Sequence, residues 1–384
     1  MNLSLLRRMA VCWVLGLASL SITARAEDAK PIRIGFIGMD NYQVVEFTHF
    51  FHNPDGQKHA FKNNEKGLDV YRGFQIVACW KGGSDKIPAK WRKDMDERWM
   101  KQIVLAPQKD PKTKQVIKSF PVIEVLEDPQ EVIKRSDVIM VMSVDANQHL
   151  EQARWAIKAK KPVFIGRPMT ATLLDAVQLV QEAEAAGVPV FSCSQHRFSP
   201  GFIGMRNHPE VGKVLGADIY GGCERDPHHP DLTWQGIHGV ETLYTMMGPG
   251  CVSVTRAGTD KADVVTGTWN DGRVGVYRGI RQGAIKWSGV VFGDKGVSVA
   301  GIYGHGVPNH GVVPHNDTYM SYLAVAAEIA KFFRTGKSPV SNAELLEVFS
   351  FLEAAEESKR QNGAPVTLAS VLEKAKAQAA AMKK

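Results

Sequence analysis

Two kinds of strand spacing divide this sequence and predict an α/β fold: a doubly wound parallel sheet over residues 31–196, then an α/β domain with an open, mostly antiparallel sheet over 197–384. In the first segment short apolar runs alternate with stretches of helical periodicity, the pattern of βαβ units. A glycine-bearing turn, Gly38-Met39-Asp40-Asn41-Tyr42-Gln43, follows the first of these runs directly. In the second segment strand-like runs succeed one another with turn signals between them and no helix long enough for crossovers.

The elements follow in order. Ile32–Ile37 reads as a short buried strand and 42–52 as the helix after it. Phe74–Trp80 is a second apolar strand, and Pro121–Val125 a short third one ahead of a helix at 128–135. Asp137–Ser143 is nearly unbroken Val, Ile and Met, as a strand buried on both faces requires. A helix at 148–159, a strand at 162–165, a helix opened by Thr170 and stopped by Gly187, and a strand at 188–193 complete the Rossmann-like series. The basic, polar stretch Lys86–Lys118 reads as a solvated insertion. Beyond it, strands are expected at 213–221, 252–258, 263–269, 273–280, 284–292 and 297–301, with Asn270-Asp271-Gly272 and Gly293-Asp294-Lys295-Gly296 as turns. Helices are expected at 236–247, 318–335, 341–361 and 367–383.

Residues 1–26 stand apart. Arg7 and Arg8 precede the apolar run Met9–Leu20, and Ala24-Arg25-Ala26 is a small-x-small site, which reads as a signal peptide cleaved after Ala26. Export to a periplasmic or extracellular space is the expectation. Arg7-Arg8 is only part of a twin-arginine signal, so either export route is open. No other segment approaches 18 apolar residues, so no stable membrane insertion is expected. The 384 residues carry 47 Lys+Arg and 40 Asp+Glu, and loss of the leader removes three arginines and no acids. That mild charge, with no dense basic run, gives no support for a nucleic-acid partner. Of the cysteines left, Cys79 and Cys193 end apolar runs and read as core residues; Cys223 and Cys251 complete the set. None has CxxC spacing, and adjacent His228 and His229 in a Pro-rich loop are poor co-ligands, so no metal site is expected.

The turn after the first strand keeps only the first glycine of a G-x-G-x-x-G pattern, at Gly38; Asp40 and Gln43 hold the other two positions. The second glycine of that pattern lets backbone approach a pyrophosphate closely. Asp40 puts a side chain and a charge there, and Asp40 or Asn41 is expected to satisfy the free donors of the helix instead. A modified, weakened dinucleotide turn follows. The second strand ends Lys81-Gly82-Gly83-Ser84 without the acid that would bind an adenosine ribose, and Lys81 and Ser84 suit a 2′-phosphate, favouring NADP over NAD.

Four further stretches carry a family resemblance. They are Val144-Asp145-Ala146-Asn147-Gln148-His149, Gly166-Arg167-Pro168, the strand Val190-Phe191 leading to Arg197-Phe198, and Trp234-Gln235-Gly236-Ile237-His238. The ending Pro339-Val340-Ser341 through Gly363-Ala364-Pro365-Val366 matches as well. In this order they resemble the glucose-fructose oxidoreductase, inositol dehydrogenase and rhizopine catabolism (Gfo/Idh/MocA) family, closest to exported members whose first turn reads G-x-D. The resemblance implies an NAD(P)-dependent oxidoreductase acting on a sugar or cyclitol, a small-molecule carbohydrate partner, and a homo-oligomer formed through the C-terminal sheet. It implies cofactor binding at Gly38, Asp40, Asn41, Lys81, Ser84, Ser143 and His149, and substrate binding at Arg167, Trp234 and Arg197. His238 takes the place of the family's D-x-G-x-H histidine, suited to proton transfer. Arg167 stands where the family's E-K-P has lysine and, being permanently protonated, acts as a fixed cation and not as a base. Gly166 stands in the acid's place and Trp234 in the aspartate's. These departures support an alternative reading: a non-redox carbohydrate-binding or lyase/hydrolase-type protein that has lost the dinucleotide.

Overall fold

The computed structural model describes residues 30–56, 65–87, 89–104, 108–109, 112–206, 208–301 and 321–382. The leader assigned to 1–26 lies outside them. The first sheet contains β1 (Ile32–Ile37), β2 (Phe74–Trp80), β3 (Glu124–Val125), β4 (Val138–Val141), β5 (Val163–Ile165) and β6 (Val190–Ser192). Its strands are all parallel, in the order β3-β2-β1-β4-β5-β6. Successive strands are therefore added outward in opposite senses on either side of β1 and β4, and the crevice at the carboxyl ends of those two strands is the ligand position of such sheets. Every residue of β4 is buried, as its unbroken Val/Ile/Met run requires.

Around this sheet lie α1 (Gln43–His52), α2 (Pro129–Arg135), α3 (His149–Lys158) and α4 (Leu173–Ala186). Thr172, not Thr170, caps α4: its hydroxyl accepts from the Asp175 N–H, while Thr170 donates to the Thr172 carbonyl. Gly187 ends the helix at φ 64°, as expected.

The second sheet has seven strands: β7 (Val214–Gly222), β8 (Cys251–Gly258), β9 (Ala262–Trp269), β10 (Val274–Ile280), β11 (Ser288–Gly293), β12 (Val297–Gly301) and β13 (Val366–Thr367), in the order β12-β11-β7-β10-β9-β8-β13. All pairings are antiparallel except β10 with β7. The short α5 (Gly236–Met247) lies within that connection, so one crossover is made after all. α5 is buried over its whole length. A Cβ on Gly239 would overlap the Tyr277 ring, so glycine there lets the helix lie directly on β10.

α6 (Ser321–Thr335), α7 (Asn342–Arg360) and α8 (Leu368–Ala381) end the chain. α6 returns to the first sheet: Tyr322 packs edge-on to Phe47 of α1 and Phe332 to Phe191 of β6. One continuous apolar core joins both sheets. Cys79, Cys193, Cys223 and Cys251 are buried and unpaired within it.

The insertion is not simply solvated. Ile87, Met95, Trp99 and Ile103 are buried, and Trp91 packs against Trp234 with ring centroids 6.1 Å apart. Trp99 meets Tyr42 edge-on at 6.4 Å, so the insertion lies along the start of α1.

Candidate functional site

The turn after β1 packs against the loop after β4. Gly38 has φ 86°, and a Cβ on it would overlap the Ser143 hydroxyl and backbone. Both the backbone angle and the close approach therefore demand glycine. The Gly38 N–H donates to the Trp80 carbonyl (3.0 Å) and the Met39 N–H to the Lys81 carbonyl (2.8 Å), seating the turn on the end of β2.

Asp40 does not cap α1 and does not occupy the approach to it. Its side chain is 1% exposed and turns inward, where one oxygen accepts from the Val144 N–H at 2.9 Å. Asn41 satisfies a helix donor instead, its side-chain oxygen accepting from the Gln43 N–H at 3.0 Å. Burial pushes the Asp40 carboxyl up to about 6, against the Val144 hydrogen bond, which lowers it.

Gln43 donates to the Gln195 side chain at 3.3 Å. Its amide oxygen lies 3.8 Å from where a Cβ on Gly166 would sit. Gln43 thus lies within van der Waals reach of the position that a side chain at 166 would take.

Three buried polar atoms at this switch point have no hydrogen-bond partner: Asn41 Nδ2, Ser143 Oγ and Asp40 Oδ2. Of these, the Asn41 amide and the Ser143 hydroxyl, beside a helix N-terminus, suit an oxygen-rich ligand such as a diphosphate and its ribose.

The other cofactor-side residues are already engaged. Lys81 Nζ is 3.0 Å from Asp96 of the insertion, and the Ser84 hydroxyl donates to Asp145 at 2.6 Å. Asp145 also accepts from the Asn147 backbone N–H and side chain, at 3.0 and 2.8 Å. Burial raises the Asp145 pKa, but these donors and the adjacent His229 bring it below the usual range. His149 sits between the Ser143 and Pro168 carbonyls, 2.7 and 2.8 Å from its two nitrogens. It braces the β4 loop against the 166–169 turn.

Arg167, Trp234 and His238 do come together. Arg167 donates to the Trp234 carbonyl at 3.1 Å, with its guanidinium carbon 5.9 Å from the indole centroid. Trp234 packs against two of the protein's own rings, tilted on His229 at 4.7 Å and on Trp91 at 6.1 Å. His238 Nδ1 lies 2.6 Å from the Ser194 hydroxyl, which also accepts from the His196 N–H at 3.1 Å. The His196 ring is 4.7 Å from both His238 and Trp287. Burial, then the Arg167 charge, holds His238 well below the ordinary histidine value and His196 at about 3. Both rings are neutral at neutral pH.

Arg197 is a correction. It points away from this cluster into the second domain, where it donates to Glu241 at 2.5 Å and pairs with Glu344. It holds α5 and α7 together and is not placed to bind substrate. Gln43, Ser194, His196, Trp287 and the insertion residues Trp91 and Asp96 belong to the site instead.

The described residues contain no group of three His, Cys, Asp or Glu placed to hold a metal ion, and no helix long and apolar enough to cross a membrane.

Residues 75–193 match the family model described as "Oxidoreductase family, NAD-binding Rossmann fold", GFO_IDH_MocA. The chain is similar to the myo-inositol 2-dehydrogenase of Thermotoga maritima, 30% identical over 29% of this chain and 34% of that protein. It is similar also to the inositol 2-dehydrogenase of Paracoccus denitrificans, 29% identical over 31% of this chain and 36% of the other. The chain therefore aligns with about a third of the length of these relatives. Fold similarity extends further. GenD2 from gentamicin A biosynthesis, solved in complex with NAD, superposes with a TM-score of 0.64 at 15% identity, over 90% of this chain and 99% of that one. The apo scyllo-inositol dehydrogenase of Lactobacillus casei gives 0.63 at 13% identity, over 88% and 99%. The Rossmann-fold segment thus matches the Gfo/Idh/MocA oxidoreductase family model over residues 75–193, and the two-sheet fold as a whole is similar to those of the solved structures.

Proposed function

We propose that this protein is an NAD(P)-dependent oxidoreductase acting on a hydroxyl of a sugar or cyclitol. The observation that carries the reading is the neutral His238 beside the Arg167 cation, next to unpartnered polar atoms at the β1/β4 switch point. The turn at Gly38, the Asn41 amide and the Ser143 hydroxyl would hold the diphosphate and ribose. When bound, the nicotinamide supplies the hydride acceptor or donor for the carbinol carbon.

The chain's own residues do the rest. In the tautomer whose Nδ1–H donates to Ser194 Oγ, 2.6 Å away, His238 has an Nε2 lone pair that can take the proton of a substrate hydroxyl. Arg167 has no basic form, so it orients the substrate oxygen and stabilises negative charge on it. Burial first, and then this cation, keep His238 deprotonated at neutral pH, so it is free to accept a proton although its basicity is lowered. His238→Ala should lower turnover by on the order of a hundredfold or more. A loss of less than twofold would remove His238 from the mechanism. Arginine in place of the family's lysine supports the second reading, a non-redox carbohydrate protein on this scaffold, and failure of any nicotinamide dinucleotide to bind would select it.

Two further features belong to the same proposal. The outer face of the second sheet carries a hydrogen-bonded row of Thr268, Val274, Gly216, Phe292 and Val297. Val274, Phe292 and Val297 are exposed, and this apolar breadth supports a homo-oligomer formed face to face. The leader at 1–26 supports export, and amino-terminal sequencing of the mature protein should begin at Glu27. A first residue of Met1 would reject export.

A further inference from the structure

We infer that Asp96, carried by the insertion, selects NAD over NADP by standing beside Lys81 where the adenosine ribose is read. This rests on the dinucleotide reading above. In a doubly wound sheet the residue at the end of the second strand meets the ribose: an acid there accepts from a 2′-hydroxyl, and a cation there binds a 2′-phosphate. Lys81 holds that position, with its carbonyl bonded to Met39 of the turn at 2.8 Å. By sequence it is a cation at a 2′-phosphate site. The fold brings a carboxylate to it from fifteen residues further on, with Asp96 Oδ1 3.0 Å from Lys81 Nζ.

The placement is built by more than the ion pair. Trp99 packs on Tyr42 at the start of α1, and His49 of α1 lies 3.2 Å from the Gln102 carbonyl. These contacts hold the helical stretch Met95–Trp99 over the adenosine side of the switch point. Both charged groups are about half exposed, so a ligand can reach them. A 2′-phosphate arriving there would compete with Asp96 for one ammonium and face the carboxylate at close range. A 2′-hydroxyl would instead donate to Asp96 and leave the pair intact. An exposed pair of this kind adds little to stability, so it can be altered without unfolding the protein.

The test is calorimetric titration of the full chain, and of Asp96→Asn, with NAD, NADP and 2′,5′-ADP. The unmodified protein should bind NAD at least tenfold more tightly than NADP. Asp96→Asn should move that ratio at least tenfold toward NADP and strengthen 2′,5′-ADP. Lys81→Ala in the Asp96→Asn background should reverse the gain. A wild-type preference for NADP, or a ratio unmoved by Asp96→Asn, overturns the inference and leaves the dinucleotide reading standing. No binding of any of the three ligands to the unmodified protein overturns that reading and the inference with it.

Discussion

Replacing Asp40 by Asn tests whether a buried carboxyl at the nucleotide turn is a liability carried for function. The side chain is 1% exposed, one oxygen is unpartnered, and burial lifts its pKa from 3.8 to about 6. A folded-state value above the unfolded one means that the native protein binds this proton more tightly. The contribution is fully favourable below about pH 4 and is lost as pH rises through about 6. At about 1.4 kcal/mol per unit, the lost stability is about 3 kcal/mol at neutral pH. Asn keeps an acceptor for the Val144 N–H and carries no charge to desolvate. Asp40→Asn should therefore match wild type near pH 4 and exceed it by about 1–3 kcal/mol at pH 7, the lower figure allowing for an amide N–H left unpartnered. Urea unfolding of both proteins across pH 4–8 measures the difference directly. A variant that is no more stable than wild type at pH 7, or a difference that does not vary with pH, would refute the assignment of Asp40 as a buried, uncompensated charge.

Other outcomes follow from the same geometry. Arg197→Met should cost about 3–5 kcal/mol, since it leaves Glu241 buried without its cation, and Arg197→Met with Glu241→Gln should recover much of that loss in a thermal melt. Arg167→Ala should raise the pKa of both His196 and His238 by removing a cation that depresses them. Proton NMR titration of the two rings reads this, and unmoved values would separate Arg167 from His238. Phe292→Asp should turn a wild-type oligomer into a monomer by light scattering at micromolar concentration; a monomeric wild type would dismiss the sheet as an interface.

The strands of the first sheet could be read because their apolar runs are short and bounded, and β1 and β2 fall on the expected residues. The parallel pairing of β10 with β7 could not, since strand order leaves no local trace. Arg197 misled because a motif gives a position but not the direction of a side chain. Its partners Glu241 and Glu344 are remote in sequence. The insertion was legible in part. Ile87, Trp91, Met95, Trp99 and Ile103 recur every fourth residue, a helical stripe hidden among lysines and arginines. Reading that stripe would have predicted a docked helix, though not the meeting of Asp96 with Lys81. Asp40 was visible as a departure from a glycine pattern, but its inward turn toward Val144 depends on the β4 loop, which only the fold brings near.

Titration of the full-length protein with NADH, followed by nicotinamide fluorescence, reads directly whether the β1/β4 switch point takes a nicotinamide dinucleotide. A saturable rise is expected, reversed by 5′-ADP and abolished by Ser143→Leu, whose larger side chain would displace the Gly38 turn that already packs tightly against Ser143. No change with NADH or NADPH up to millimolar concentration would contradict it.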